Sequence, residues 1–226
     1  MPGEGATKSR VFLIDDHPLL RQGLGVCING EKDLIVSGEA ASAHEAMEKL
    51  VDPLPDIVIV DISLDDRNGV ELIKDIVQRH PALPCLALSM YDETIYAVRV
   101  LRAGGRGYLM KNEAPTKVIG AIRRVLEGHI YVSEEMATRL VDQFVLTAPG
   151  STSPTGELSD RELEVLTLIG RGNGTREIAE KLFLSVKTVE AHRERIKEKL
   201  KLKSGSELMR FAVQFTLDNR GEPKSE

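Results

Sequence analysis

The 226-residue sequence predicts an α/β unit, a parallel five-stranded sheet with helices on both faces, followed by a small all-α unit. Short apolar runs alternate with amphipathic stretches through the first part, which implies parallel strands joined by helical crossovers. Residues 157–226 carry helix signals and no strand pattern. Between the two lies TAPGSTSPTG, residues 147–156, whose Pro, Gly, Ser and Thr lack apolar periodicity and read as a flexible linker.

The strands are RVFLID (residues 10–15), DLIVSGEA (33–40), DIVIVDI (56–62), CLALSM (85–90) and GYLM (107–110). Helical patterns lie between them. Residues 42–51 place Ala43, Ala46, Met47 and Leu50 on one face, and residues 69–78 do the same with Val70, Ile73 and Val77. The first helix begins near His17 and Pro18. A further helical segment is expected over residues 133–146.

Composition narrows the function classes. Cys27 and Cys85 lie in apolar patterns without metal-ligand spacing, as in a reduced, cytosolic protein. No signal-peptide core and no run of about 18 apolar residues is found, so a membrane location is not expected. Residues 157–226 hold 14 Lys and Arg against 13 Asp and Glu, which leaves 16 against 22 in the first 156. The acidity therefore belongs to the α/β part.

Several strands end in residues that a structural strand has no reason to carry. Asp15 and Asp16 close the first, Asp61 the third and Ser89 the fourth, while Lys111 follows the fifth. A parallel sheet brings its carboxyl ends to one edge, so these side chains are expected to converge. Three adjacent carboxylates raise one another's pKa unless a cation is present. A hard divalent ion such as Mg²⁺ relieves that conflict and leaves ligand positions open to phosphoryl oxygens. Asp15 or Asp16 taken singly is more simply a cap of the first helix; the joint set of acidic pair, Asp61, Ser89 and Lys111 at successive strand ends favours the site.

Over roughly the first 127 residues this pattern resembles the receiver domain of bacterial two-component response regulators, whose sheet is flavodoxin-like. The resemblance implies that Asp61 is the phosphoacceptor. It further implies that Asp16, Asp61 and the carbonyl of Ser63 hold Mg²⁺ with help from Asp15, and that Lys111 contacts the phosphoryl group. Ser89 would move toward the phosphoryl oxygens and Tyr108 would turn inward behind it. Where the family commonly has Met then Pro after the acceptor, this chain has Leu64 and Asp65, then Asp66 and Arg67; Gly69 stands at the expected distance.

In the C-terminal part, Ser159 with Glu162 forms a capping box before Leu163, Leu166 and Ile169, and Ser204 with Glu207 opens another helix the same way. A short helix over residues 176–182, a tight turn over 183–185 and a longer helix over 186–200 suggest a helix-turn-helix. On the longer helix Val189, Ile196 and Leu200 share the side expected to be buried. Opposite stand Lys187, Ala191, Glu194 and Glu198, flanked by Glu190 and Lys197. An ordinary solvated helix laced with ion pairs would also show such charges. However, REXEVL at residues 161–166, Gly172, REIAEKL at 176–182, SVKTVEAH at 185–192 and KLKLKS at 199–204 closely resemble the LuxR-type domain of NarL and FixJ response regulators.

This second resemblance implies that Glu190, Ala191 and Glu194 face DNA bases. It makes Ser185, Lys187, Thr188, Arg193 and Lys197 candidates for phosphate contact, with Arg176 and His192 in the same DNA-binding set. Acidic residues at two base-facing places depart from relatives with Lys there; Glu190 could accept from cytosine N4–H. The expected organisation is a receiver at residues 8–128, a linker with a short helix at 129–156 and a DNA-binding domain at 157–220. Implied partners are a histidine kinase, double-stranded promoter DNA, a second copy on activation and RNA polymerase, with no membrane. A Mg²⁺-dependent phosphohydrolase using Asp61 would need an acid or base two residues beyond it, where Ser63 stands; a receiver that is never phosphorylated would not need the complete site.

Overall fold

The computed structural model describes residues 7–146 and 154–218, which fall into two compact units, Met1–Ala137 and Thr138–Glu226. The division between them lies within α6 (Glu134–Leu146). Of the expected linker, residues 147–153 lie outside the described residues.

In the first unit β1 (Ser9–Ile14), β2 (Leu34–Ala40), β3 (Ile57–Asp61), β4 (Cys85–Ser89) and β5 (Gly107–Met110) form one sheet in the order β2-β1-β3-β4-β5. Every pairing is parallel. The connections are α1 (Pro18–Asn29), α2 (Ala43–Lys49), α3 (Gly69–Arg79), α4 (Glu93–Arg102) and α5 (Pro115–Leu126). Every residue of β3 and β4 is buried, as expected of strands covered on both faces, and this is why they read as continuous apolar runs.

Val11, Leu13, Ile57, Ile59, Leu86 and Leu88 form one core with Leu24 and Ile28 of α1 and Ile119 and Ile122 of α5. Each such side chain withdrawn from water stabilises the fold by about 1.5–3 kcal/mol before entropy is counted. On α3 the buried face is wider than the predicted stripe, because Leu72 and Ile76 join Val70 and Ile73, whereas Val77 is only half-buried. Beyond α5, Tyr131 forms one parallel bridge with Gly107 and so covers part of the open edge of β5.

The second unit holds a 3-10 turn (Pro154–Glu157), α7 (Asp160–Gly170), α8 (Thr175–Lys181), α9 (Val186–Lys199) and α10 (Gly205–Asp218). Both bonds of the predicted capping box are made: the Glu162 amide donates to Ser159 Oγ, and the Ser159 amide donates to Glu162 Oε2. The second box differs. Glu207 N donates to Ser204 Oγ at 3.2 Å, but the return bond to Glu207 Oε2 comes from Lys203 N at 2.7 Å. Residues 162–169 of α7 are all buried, which makes it the central helix. Val189 and Ile196 of α9 are fully buried against it, while Leu200, at the helix end, is half-buried. Two carboxylates are buried on α7, and each has a cation. Glu164 meets Arg161 at 2.8 Å and Glu162 meets Lys199 at 2.7 Å. No helix of the described residues is long and apolar enough to cross a membrane.

Candidate functional site

The strand order reverses between β1 and β3, and a crevice outside the carboxyl ends at such a point is where open α/β sheets bind ligands. Asp15 and Asp16 follow β1, Asp61 is the last residue of β3, Ser89 the last of β4, and Lys111 follows β5 by one. Parallel register keeps these ends level: Ile14 stands opposite Val60, Asp61 opposite Leu88 and Ser89 opposite Met110. Lys111 Nζ lies 2.5 Å from Asp61 Oδ2 and 2.8 Å from Asp15 Oδ2. Its backbone N–H donates to the Ser89 carbonyl at 2.7 Å, so one residue links the ends of three strands.

Asp15, Asp16, His17 and Asp61 each offer a ligand atom within 4.8 Å of the others. Burial pushes the Asp16 carboxyl up to about 6, assisted by a hydrogen bond with Asp65 and by the Asp61 charge, with His17 opposing. Burial also raises Asp61, against the attraction of Lys111 and with the repulsion of Asp15. For Lys111 burial acts downward but Asp61 and Asp15 outweigh it, so its ammonium is held more firmly than usual. One lysine thus pairs with two of the three carboxylates, Asp15 and Asp61, while Asp16 and Asp61 resist ionisation. Such a concave set of hard oxygen donors fits a divalent cation of the Mg²⁺ class.

The sequence reading overlooked His17 and Asp65. His17 Nδ1 lies 2.5 Å from Asp16 Oδ1 and 3.4 Å from Asp15 Oδ1. Its position directly after the acidic pair was the available signal. The segment that departs from the family's pattern is anchored at each charged residue. Asp65 stands near enough to Asp16 to help raise its carboxyl pKa, Asp66 accepts from the Ala43 and His44 amides at 3.0 and 3.1 Å, and Arg67 pairs with Glu71 and Asp75. Asp66 therefore caps α2 from across the fold.

Around the acceptor, Ser63 N–H donates to Asp61 Oδ1 at 3.0 Å, which leaves Oδ2 to Lys111. A Cβ at residue 69 would stand 2.1 Å from the Asp61 carbonyl oxygen, so only glycine lets α3 start so close behind the site. Ser89 is fully buried, and its Oγ accepts from Tyr91 N at 3.0 Å. Tyr108 is also fully buried, and its hydroxyl donates to the Tyr91 carbonyl at 2.8 Å. Tyr91, which sequence reasoning passed over, is thus the shared partner of both residues.

On the second unit Arg176 of α8 and Lys187, Glu190, Ala191 and Glu194 of α9 are exposed, as is Ser185 at the N-cap. Thr188, Arg193 and Lys197 are partly exposed. Ser185 Oγ accepts from Thr188 N at 3.0 Å, and Lys197 pairs with Glu194 at 2.9 Å. His192 is likewise partly exposed, but its Nδ1 is inaccessible and without a hydrogen-bond partner. Burial and the nearby Arg195 lower its pKa, with Glu162 opposing. The α9 face thus offers both cations and acids to a ligand.

Comparison with known proteins finds relatives of both units. Residues 11–123 match the response regulator receiver domain, and residues 156–212 match the bacterial regulatory proteins of the luxR family. The oxygen regulatory protein NreC of Staphylococcus carnosus is 40% identical over 213 residues, covering 92% of this chain and 98% of that protein. RcsB from Salmonella enterica serovar Typhimurium, solved bound to promoter rprA with the phosphomimetic BeF₃⁻, is 26% identical with a TM-score of 0.58, over 92% of this chain and 99% of that one. A structure of two RcsB dimers bound to two parallel DNAs matches at 25% identity and a TM-score of 0.54, over 95% of this chain and 100% of that one. The chain belongs to the transcriptional response regulators that join a receiver domain to a LuxR-type DNA-binding domain.

Proposed function

We propose that a histidine kinase phosphorylates Asp61, and that the modification controls dimerisation and sequence-specific binding to promoter DNA. The observation that carries this is the state of the Asp61 carboxylate. It sits at the strand-order reversal with Oδ1 held by the Ser63 amide and Oδ2 by Lys111, and burial makes both it and the neighbouring Asp16 resist ionisation. Asp15, Asp16 and Asp61, with the Ser63 carbonyl, would hold Mg²⁺, which supplies charge neutralisation for phosphoryl transfer. An Asp61 oxygen forms the new bond to phosphorus as the donor's P–N bond breaks. Lys111 offsets the charge on the phosphoryl oxygens. Ser89 and Tyr108, joined through Tyr91, form the element that responds.

The second site is the DNA-binding face. Ser185, Lys187, Thr188, Arg193 and Lys197, with Arg176 on α8, serve phosphates, while Glu190, Ala191 and Glu194 serve base edges. His192 stays in the proposed set as a residue that positions α9 from its half-buried place. The receiver spans residues 8–128, the linker 129–156 and the DNA-binding domain 157–220. The dimers and promoter complexes recorded for RcsB support a dimer on DNA here, with RNA polymerase as a later partner and the cytoplasm as the location. Treatment with acetyl phosphate and Mg²⁺ should add one phosphoryl mass to the intact chain, and Asp61→Asn should abolish the addition. Equal labelling of that variant would show the wrong acceptor.

A further inference from the structure

Three helix ends of the second unit are closed by the same pair of backbone bonds, and one of the three carries an unexpected residue. After α7, Gly172 N donates to the Ile169 carbonyl and Asn173 N to that of Leu168. After α8, Phe183 N donates to Glu180 and Leu184 N to Ala179; after α9, Lys201 N donates to Glu198 and Leu202 N to Lys197. This closure places one residue in the left-handed region, and the φ values are +86° at Gly172, +51° at Phe183 and +55° at Lys201. Glycine adopts that conformation freely, whereas a bulky side chain is strained in it. Lys201 gains from its charge beside the carbonyl end of α9. Phe183 has no such offset, because it is 68% exposed while its neighbour Leu182 is buried.

A strained, solvent-facing aromatic points to a contact made outside the chain. Phe183 stands two residues before Ser185, the N-cap of α9, beside the exposed Val186 and Lys187. The N-terminal end of the second helix of a helix-turn-helix is the part that enters the major groove. Arg161, donating to the Leu182 carbonyl, braces the turn from α7. We infer that Phe183 is a DNA-contact residue, packing its ring on the deoxyribose and thymine-methyl carbons at the groove edge. The inference rests on the DNA-binding face proposed above.

The test uses the full chain and a fluorescent duplex selected by that chain from a randomised pool. Phe183→Asn and Phe183→Gly should leave the melting temperature unchanged or a few degrees higher, since both residues tolerate the left-handed region. They should weaken binding by about three- to tenfold, and Phe183→Tyr should retain it. A structural role would lower the melting temperature of the Asn and Gly variants and overturn the inference. So would unchanged DNA affinity, including the case in which only transcription from the bound promoter is lost, which would indicate a protein partner. Lys187→Ala distinguishes the levels of failure. If it weakens binding while the Phe183 variants bind normally, this inference alone falls; if it too binds normally, the proposed DNA face falls with it.

Discussion

Replacing Asp16 by Asn should stabilise the receiver when no divalent cation is present, although it removes a metal ligand. The Asp16 carboxyl is moved from an ordinary 3.8 to about 6, by burial first and then by Asp65 and Asp61. The folded chain therefore holds this proton more tightly than the unfolded chain does. Stability falls as pH rises through the window from 3.8 to about 6, and the whole penalty is present above it. Its ceiling is about 3 kcal/mol, and solvent at the open mouth of the crevice reduces this to roughly 1–2 kcal/mol. The chain has four tyrosines, Tyr91, Tyr96, Tyr108 and Tyr131, all in the first unit, and no tryptophan. Tyrosine fluorescence in a urea titration thus reads the receiver alone. In EDTA near neutral pH the variant should unfold at higher urea than the parent, and the gap should close as pH falls toward 3.8. With saturating Mg²⁺ the parent should gain by mass action and the variant much less. A variant less stable than the parent in EDTA, or a gap independent of pH, would refute the electrostatic reasoning.

Gly69→Ala should destabilise the receiver by about 3 kcal/mol or more, because the added Cβ meets the Asp61 carbonyl oxygen at 2.1 Å and backbone must move; the same fluorescence titration measures it. On DNA, Lys187→Ala should weaken binding to all duplexes and lower the salt slope by about one. Glu190→Ala should leave overall affinity nearer the parent's but change the bases selected from a random pool, and unchanged selection would count against the docking face.

Sheet and strand ends were legible because burial on both faces writes an unbroken apolar run, as in β3 and β4, and because a parallel sheet puts successive carboxyl ends on one edge. That logic located Asp15, Asp16, Asp61, Ser89 and Lys111 without contact information. Local capping was legible at Ser159, whose box closes within four residues. Contacts between segments distant in sequence were not. Asp66 capping α2 joins residues 22 and 23 positions apart, which no periodicity records. Tyr91 was hidden because it acts through its backbone, its N–H donating to the Ser89 side chain at the end of β4 and its carbonyl accepting from the Tyr108 hydroxyl of β5. His192 belongs with the DNA-facing set by resemblance, but the burial of its Nδ1 depends on how α9 rolls against α7, which helical spacing alone leaves undetermined.

The central claim, that the state of Asp61 governs the output, is tested most directly by titrating a duplex bearing two half-sites with the phosphorylated and unmodified chains at one salt concentration. Oligomeric state is followed by sedimentation in parallel. Joint binding of two half-sites raises affinity through effective concentration. The phosphorylated chain should therefore bind more tightly and sediment as a dimer at lower concentration. Ser89→Ala should narrow the difference while Asp61 is still labelled. Equal affinity and equal oligomeric state for the two forms would contradict the account.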